Sequence, residues 1–167
     1  LVLLRKQRVS EASEHFRRAL ALGGADVEAH VNLGVIACIE GRLEDARVHF
    51  EQSLAIHREV GNRRIEGIDT SNLGNVHREL GNTGQAEQLY QLALAIHREV
   101  GNRRDAGIVI GNLGLLQNDQ GHTDEARALY EDRSAFLKQL AGGSAGAALA
   151  LRAAREAQAQ TAGPGKL

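Results

Sequence analysis

The chain has 167 residues, 43% of them hydrophobic and 25% charged, with a net charge of -1; that supports one continuous core and the balance of a globular protein rather than a disordered one. Near neutrality argues against a general nucleic-acid binder, which carries a basic excess to neutralise phosphates. The single cysteine, Cys38, leaves no internal disulfide and no cysteine-built metal centre, so the expected location is cytoplasmic.

The opening Leu1-Val2-Leu3-Leu4 meets Arg5, Lys6 and Arg8 at once, an apolar run too short for a signal segment or a membrane span. No membrane association is expected. The sequence contains no methionine and begins on leucine, which fits a segment of a longer protein.

A fixed period organises the rest of the chain. Ala55 to Arg64, AIHREVGNRR, returns unchanged at Ala95 to Arg104, an offset of 40 residues. Asn32-Leu33-Gly34, Asn72-Leu73-Gly74 and Asn112-Leu113-Gly114 keep the same offset, as do Gly41, Gly81 and Gly121, Ala46, Ala86 and Ala126, and Phe50, Tyr90 and Tyr130. A period of this size is the signature of a stacked repeat array.

In chain order, residues 1–22 read as the back end of a repeat, with Ala12, Phe16 and Leu20 answering Ala46, Phe50 and Leu54. Repeats over 26–60, 63–100 and 103–140 come next. Each carries two amphipathic helices: His30, Leu33, Gly34 and Ala37 form one face, and Leu43, Ala46, Phe50 and Leu54 another. Gly41, Gly81 and Gly121 are placed to end the first helix with positive φ, and Thr83 or Thr123 to cap the second. Gly61-Asn62 and Gly101-Asn102 read as a left-handed stop followed by an N-cap, with Asp105 in the next first turn. Gly34, Gly74 and Gly114 fall inside helices, where glycine costs ~1 kcal/mol relative to alanine. Close helix contact is the expected reason, with Ala46, Ala86 and Ala126 receiving the glycines and the aromatic residues beside them. Residues 144–160 keep the phase of the repeat and read as a final capping helix, and Gly163-Pro164-Gly165 lies in an expected disordered tail over 161–167.

Asn-Leu-Gly, a glycine seven residues on, alanine five later, an aromatic four later and Ala-Leu close behind resemble the tetratricopeptide repeat over nearly the whole chain. The 40-residue form with Gly-Asn-Arg-Arg before the first helix is similar to repeats of Pins-type adaptors, kinesin light chains and arrays fused to bacterial signalling ATPases and kinases. The resemblance implies an all-α, right-handed α-solenoid of helix-turn-helix repeats. The chain departs from the family where Ala37, His77 and Gln117 replace a large aromatic residue, and where His30, Thr70 and Ile110 stand in place of tryptophan or a similar residue. In the third repeat Arg133 and Ser134 replace Ala93 and Leu94, so the outer end of that helix is expected to meet solvent or a cap.

Catalysis finds no candidate residues. The seven histidines include no His-x-x-x-His and no Cys-His cluster, and His57 and His97, copies of one position, read as solvated or half-buried structural residues. Cys38 reads as a small hydrophobe facing the groove. No phosphate loop occurs, since no Gly-Lys-Ser/Thr follows the glycines. No enzyme activity, no metal and no cofactor are therefore expected. Arg63-Arg64 and Arg103-Arg104 read as exposed arginines paired with Glu59, Glu66, Glu99 or Asp105.

The opposite face of each first helix is the candidate site. With about 100° per residue, Asn32, Val35 and Ile39 share that face, as do Asn72, Asn75, Arg78 and Glu79, then Asn112, Leu115, Asn118 and Asp119. The groove is apolar at Val31, Val35, Cys38 and Ile39 and polar at Ser71, Asn75, Arg78 and Glu79. The resemblance implies that this face is concave, and that Asn32, Asn72 and Asn112 form a ladder whose amides hold the backbone of a bound peptide. The function expected is a non-enzymatic scaffold for a peptide or helix of another protein. The alternative is a regulatory segment of a larger bacterial signalling protein or transcription regulator.

Overall fold

The computed structural model describes residues 2–22 and 26–138, with side-chain surroundings from Gln7 onward. The capping helix expected at 144–160 and the tail at 161–167 lie outside the described residues. The helices are α1 (Val2–Ala21), α2 (Val27–Ile39), α3 (Leu43–Glu59), α4 (Arg63–Glu79), α5 (Thr83–Glu99) and α6 (Arg103–Asp119), and residues 123–138 form α7. Among the described residues there is no strand. Each helix packs on its chain neighbours, and α4 also touches α6, so the chain winds as an all-α solenoid.

One turn recurs at every corner from α2 to α7. Gly41, Gly61, Gly81, Gly101 and Gly121 have φ of 74°, 72°, 80°, 67° and 82°, a region open to glycine because it lacks Cβ. The next amide then reaches back five residues: Arg42 N–H to Ala37 O at 2.8 Å, Asn62 to His57 at 2.9 Å and Asn82 to His77 at 2.8 Å, repeated at Asn102 and His122. These bonds occupy carbonyls that a helix end leaves unpaired. Asn62 and Asn102 then cap the next helix, their side chains accepting from the amides of Ile65 and Asp105. The expectation of threonine caps is corrected. Asn82 precedes α5 and Thr83 is its first helical residue; residue 123 likewise opens α7.

The core consists of seams between successive pairs. Ala37, Ala46, Phe50, Leu54, Leu73 and Val76 form one cluster; Ala86, Tyr90, Ala93, Val109, Leu113 and Leu116 form the next. Ile36, Val76 and Leu116, absent from the expected apolar face, are buried, because α2, α4 and α6 each pack between two other helices and bury more than one stripe. The recurring glycines inside helices have a corrected partner too. A Cβ on Gly74 would stand 2.6 Å from Tyr90 Cε1, one on Gly34 2.8 Å from Phe50 Cε1, and one on Gly114 2.8 Å from Tyr130 Cε1. The aromatic ring, not the alanine, lies flush on each glycine.

Candidate functional site: the groove between α2 and α4

The α2 stretch after Leu33-Gly34 turns its buried side to α3 and leaves Val35 and Ile39 44% and 68% exposed. Opposite them α4 presents Asn72, Asn75, Arg78 and Glu79, and together with Cys38 and the edge of Phe50 these residues line a groove of about 350 Å³. Cys38 is half-buried there, and burial, followed by the charge of Glu79, pushes its thiol above the ordinary value. It stays a protonated, weakly polar wall. Ser71, expected on the polar part of the groove, is buried and lies off it.

The next boundary, between α4 and α6, is tied by side chains. Asn112 Nδ2 donates to Asn75 Oδ1 at 3.1 Å, and the same oxygen accepts from Tyr90 Oη at 2.7 Å. Burial pushes the Tyr90 phenol up to about 12, so it remains a donor, with Arg78 pulling the other way. Arg78 Nη1 reaches Asp119 Oδ2 at 3.0 Å. Leu115, Asn118 and Asp119 are exposed along α6.

The three period-related asparagines therefore differ in their partners. Asn32 Nδ2 bonds to Glu28 O of its own helix at 2.8 Å. Asn112 bonds to Asn75 on the neighbouring helix, and Asn72 is half-buried in the groove wall. Sequence phase alone misses Tyr90 as a member of the inner polar network; its hydroxyl is the one available signal.

Other polar residues support the array. Arg63 donates to Glu66 at 2.8 Å and to Glu99 at 2.7 Å, and Arg58 donates to Glu66 at 3.1 Å. Burial works against a charge on Glu66, yet these guanidiniums hold its carboxyl below the usual range. The reading of Arg63 as an arginine paired with Glu66 and Glu99 stands. Arg133 and Ser134 are exposed, as expected for an outer end that meets solvent, and Arg133 Nε also donates to Gly107 O on α6 at 3.0 Å.

The reading of His57 and His97 as solvated or half-buried needs correction, since both are buried. At the α3–α4 seam Ser53 Oγ and His57 Nδ1 donate to Asp69 Oδ2 at 2.7 Å and 2.8 Å. One period later the same positions hold Ala93, His97 and Val109, and both His97 nitrogens lack a hydrogen-bond partner. Burial holds the His97 imidazole below its ordinary pKa, with Asp105 opposing and Arg64 reinforcing.

Among the described residues no group of three or more His, Cys, Asp or Glu gathers for a metal, and no helix is long and apolar enough to cross a membrane.

A family profile described as tetratricopeptide repeat matches residues 26–99 and again 67–139. The chain is 35% identical over 88 residues to the Regulatory protein AfsR of Streptomyces griseus, a match that takes in 49% of this chain and spans 9% of that protein. The crystal structure of BtubC (BKLC) from P. vanneervenii superposes with a TM-score of 0.71 at 21% identity, over 81% of this chain and 58% of that one, a likeness of fold. The two profile matches together run through every helix from α2 to α7, and the chain belongs to the tetratricopeptide repeat family.

Proposed function

We propose that the chain is a non-enzymatic scaffold whose inner groove receives a peptide or helix of a partner protein. One observation carries this reading: Val35 and Ile39 stand exposed on the same wall, facing the polar groups of Asn72, Arg78 and Glu79 across a groove of about 350 Å³. An apolar side chain of the ligand fills the α2 side, and its backbone meets the Asn72 amide, which offers a donor and an acceptor together. Leu115, Asn118 and Asp119 continue the contact surface along α6, and Asn32 flanks its beginning. Asn75 lines the groove and is held from behind by Asn112 of α6, so the contribution of Asn112 to binding is partly through the position of Asn75.

Similarity to a segment of a protein named as regulatory favours a second reading, in which the same groove holds another part of a longer polypeptide and is released by a signal. Both readings place the contact on the same residues.

The single cysteine supplies the test. A peptide is selected by display on the chain, and the alkylation rate of Cys38 is measured with and without it. Binding in the groove slows alkylation severalfold, and prior alkylation with a bulky maleimide blocks the peptide. A tightly binding peptide that leaves the alkylation rate unchanged would place the binding face elsewhere.

A further inference from the structure

His30 of α2 and His49 of α3 meet head to head, Nδ1 to Nδ1 at 3.1 Å, with ring centroids 5.4 Å apart. The contact is an N–H···N hydrogen bond, in which one imidazole donates and the other accepts. Packing alone does not call for imidazoles at this seam. One period on, the same two positions hold Thr70 and Leu89, and two periods on they hold Ile110 and Leu129. Thr70 and Ile110 are buried, and Leu89 and Leu129 pack against the core clusters. In the first complete helix pair these packing residues are exchanged for two half-buried histidines.

The bond tolerates one added proton and not two. A single imidazolium still donates to its neutral neighbour, whereas two imidazoliums carry hydrogen on both facing nitrogens and bring like charges together. The charged groups around the pair do not relieve this. Asp26, at the cap of α2, accepts from the Ala29 amide, and Asp45 of α3 pairs with Arg42, so both carboxylates are already engaged. Arg42 and, from α1, Arg17 add positive charge at His49. Burial holds both rings below the ordinary imidazole pKa; Asp26 opposes this at His30, and at His49 the neighbouring His30, Arg42 and Arg17 reinforce it while Asp45 opposes.

We propose that His30 and His49 form an acid-released latch, which ties α2 to α3 while at most one of the two rings is charged and lets α2 go when both are. The latch is fully closed above the unfolded histidine value of about 6.5. As pH falls below that value, the unfolded segment takes up protons that the folded pair resists, and the latch loosens toward the lower folded values. The later repeats hold Thr70 with Leu89 and Ile110 with Leu129 at these positions, so the loosening starts in the first complete pair. Because α2 also carries Val35 and Ile39, one wall of the groove loosens with it; this last consequence alone rests on the groove reading given above.

Hydrogen exchange of the full chain between about pH 7.5 and pH 5.5, corrected for the intrinsic pH dependence of exchange, reads the latch. Amides of residues 27–39 should lose protection by about tenfold for each unit by which the pair's pKa is lowered, ahead of those in α4 and α6. Two variants should lack that loss. The double change His30→Thr with His49→Leu installs the residues that the array carries one period on, and His49→Gln keeps a donor toward His30 but takes no charge. His97→Leu, at the buried histidine of α5, should leave the loss in place. Equal loss in the parent and both variants, loss no greater in α2 than in α4 and α6, or no loss at all would each overturn the latch. A display-selected groove peptide supplies a second arm, its affinity falling more steeply with acid for the parent than for His49→Gln. Loss of protection confined to the parent's α2, with no difference in peptide affinity, would uphold the latch and count against the groove.

Discussion

The side-chain amide of Asn112 donates to the side-chain oxygen of Asn75 at 3.1 Å, joining the inner helices of two successive repeats. That oxygen also takes the hydroxyl of buried Tyr90. One asparagine thus holds two donors from two helices, and this face is a structural seam as well as the proposed contact surface. Asn75→Ala should cost about 1–3 kcal/mol, because it strips the partner of a buried phenol. Asn112→Ala should cost about 0.5–1.5 kcal/mol, and Asn72→Ala should be neutral or slightly stabilising, since alanine is the better helix former. Urea unfolding of the three variants checks this order.

Gly74 and Gly84 make a matched pair. A Cβ at Gly74 meets the Tyr90 ring at 2.6 Å, whereas one at Gly84 meets nothing within 4 Å. Gly84→Ala should stabilise by about 0.4–1 kcal/mol through helix propensity and a narrower unfolded ensemble. Gly74→Ala should destabilise by about 1–3 kcal/mol, the usual cost of overpacking, in spite of the same gain in propensity. Equal melting temperatures for the two variants would contradict the flush ring packing.

How much of this the sequence discloses depends on whether the cause is local. The turns are legible because a positive φ is a property of one residue, and glycine is the residue that adopts it at little cost. The error over Thr83 has the same root: both kinds of corner use one turn, so the residue after glycine is always the cap, and Asn82 occupies the slot that Asn62 and Asn102 fill elsewhere. The ring partners of Gly34 and Gly74, the link from Asn75 to Tyr90, and the bond of His57 to Asp69 depend on how helices sit against each other. Position along the chain does not reveal that register. The exposed pair Val35 and Ile39 is legible as a face, while the bonding of Asn112 within the array is not.

The two histidine seams predict opposite responses. His57→Leu removes a donor from the buried carboxylate of Asp69 and should cost several kcal/mol, about 3–5 if the charge is left uncompensated. Adding Ser53→Ala and Asp69→Val, which copy Ala93 and Val109 of the next seam, should recover most of that loss. His97→Leu should instead stabilise by about 1 kcal/mol, since it removes two unpaired buried nitrogens.

Acid should destabilise the chain partly through His97. Its folded pKa is lowered by burial, so its contribution is fully present above the unfolded value of about 6.5. As pH falls below that value, the unfolded chain takes up a proton that the folded one resists, and stability declines toward the lower folded pKa. The urea midpoint should drop between about pH 7.5 and pH 5.5, and His97→Leu should make that drop smaller. An equal drop in parent and variant would contradict this role.

The exposed surface of α7 bears on the end of the array. Tyr130 and Leu137 are 38% and 39% exposed, and an array's last helix exposes an apolar face unless a cap covers it. We propose that residues 144–160 act as that cap. Ending the chain at Gly143 should then lower Tm and promote association in sedimentation, whereas a shortened chain that melts like the parent and stays monomeric would make the segment a tail.

Whether the inner groove binds a protein segment is decided by the affinity of a display-selected peptide, read by fluorescence anisotropy, for four single variants. Val35→Glu and Ile39→Glu place a charge in the groove; Val48→Glu and Leu92→Glu do the same at exposed apolar positions of α3 and α5. All four side chains are exposed enough for melting temperatures to stay close to the parent, which removes misfolding as a cause. Groove binding predicts a loss of about tenfold or more, about 1.4 kcal/mol, for each groove variant and unchanged affinity for the other two. Loss confined to Val48→Glu and Leu92→Glu, with full binding by the groove variants, would contradict it.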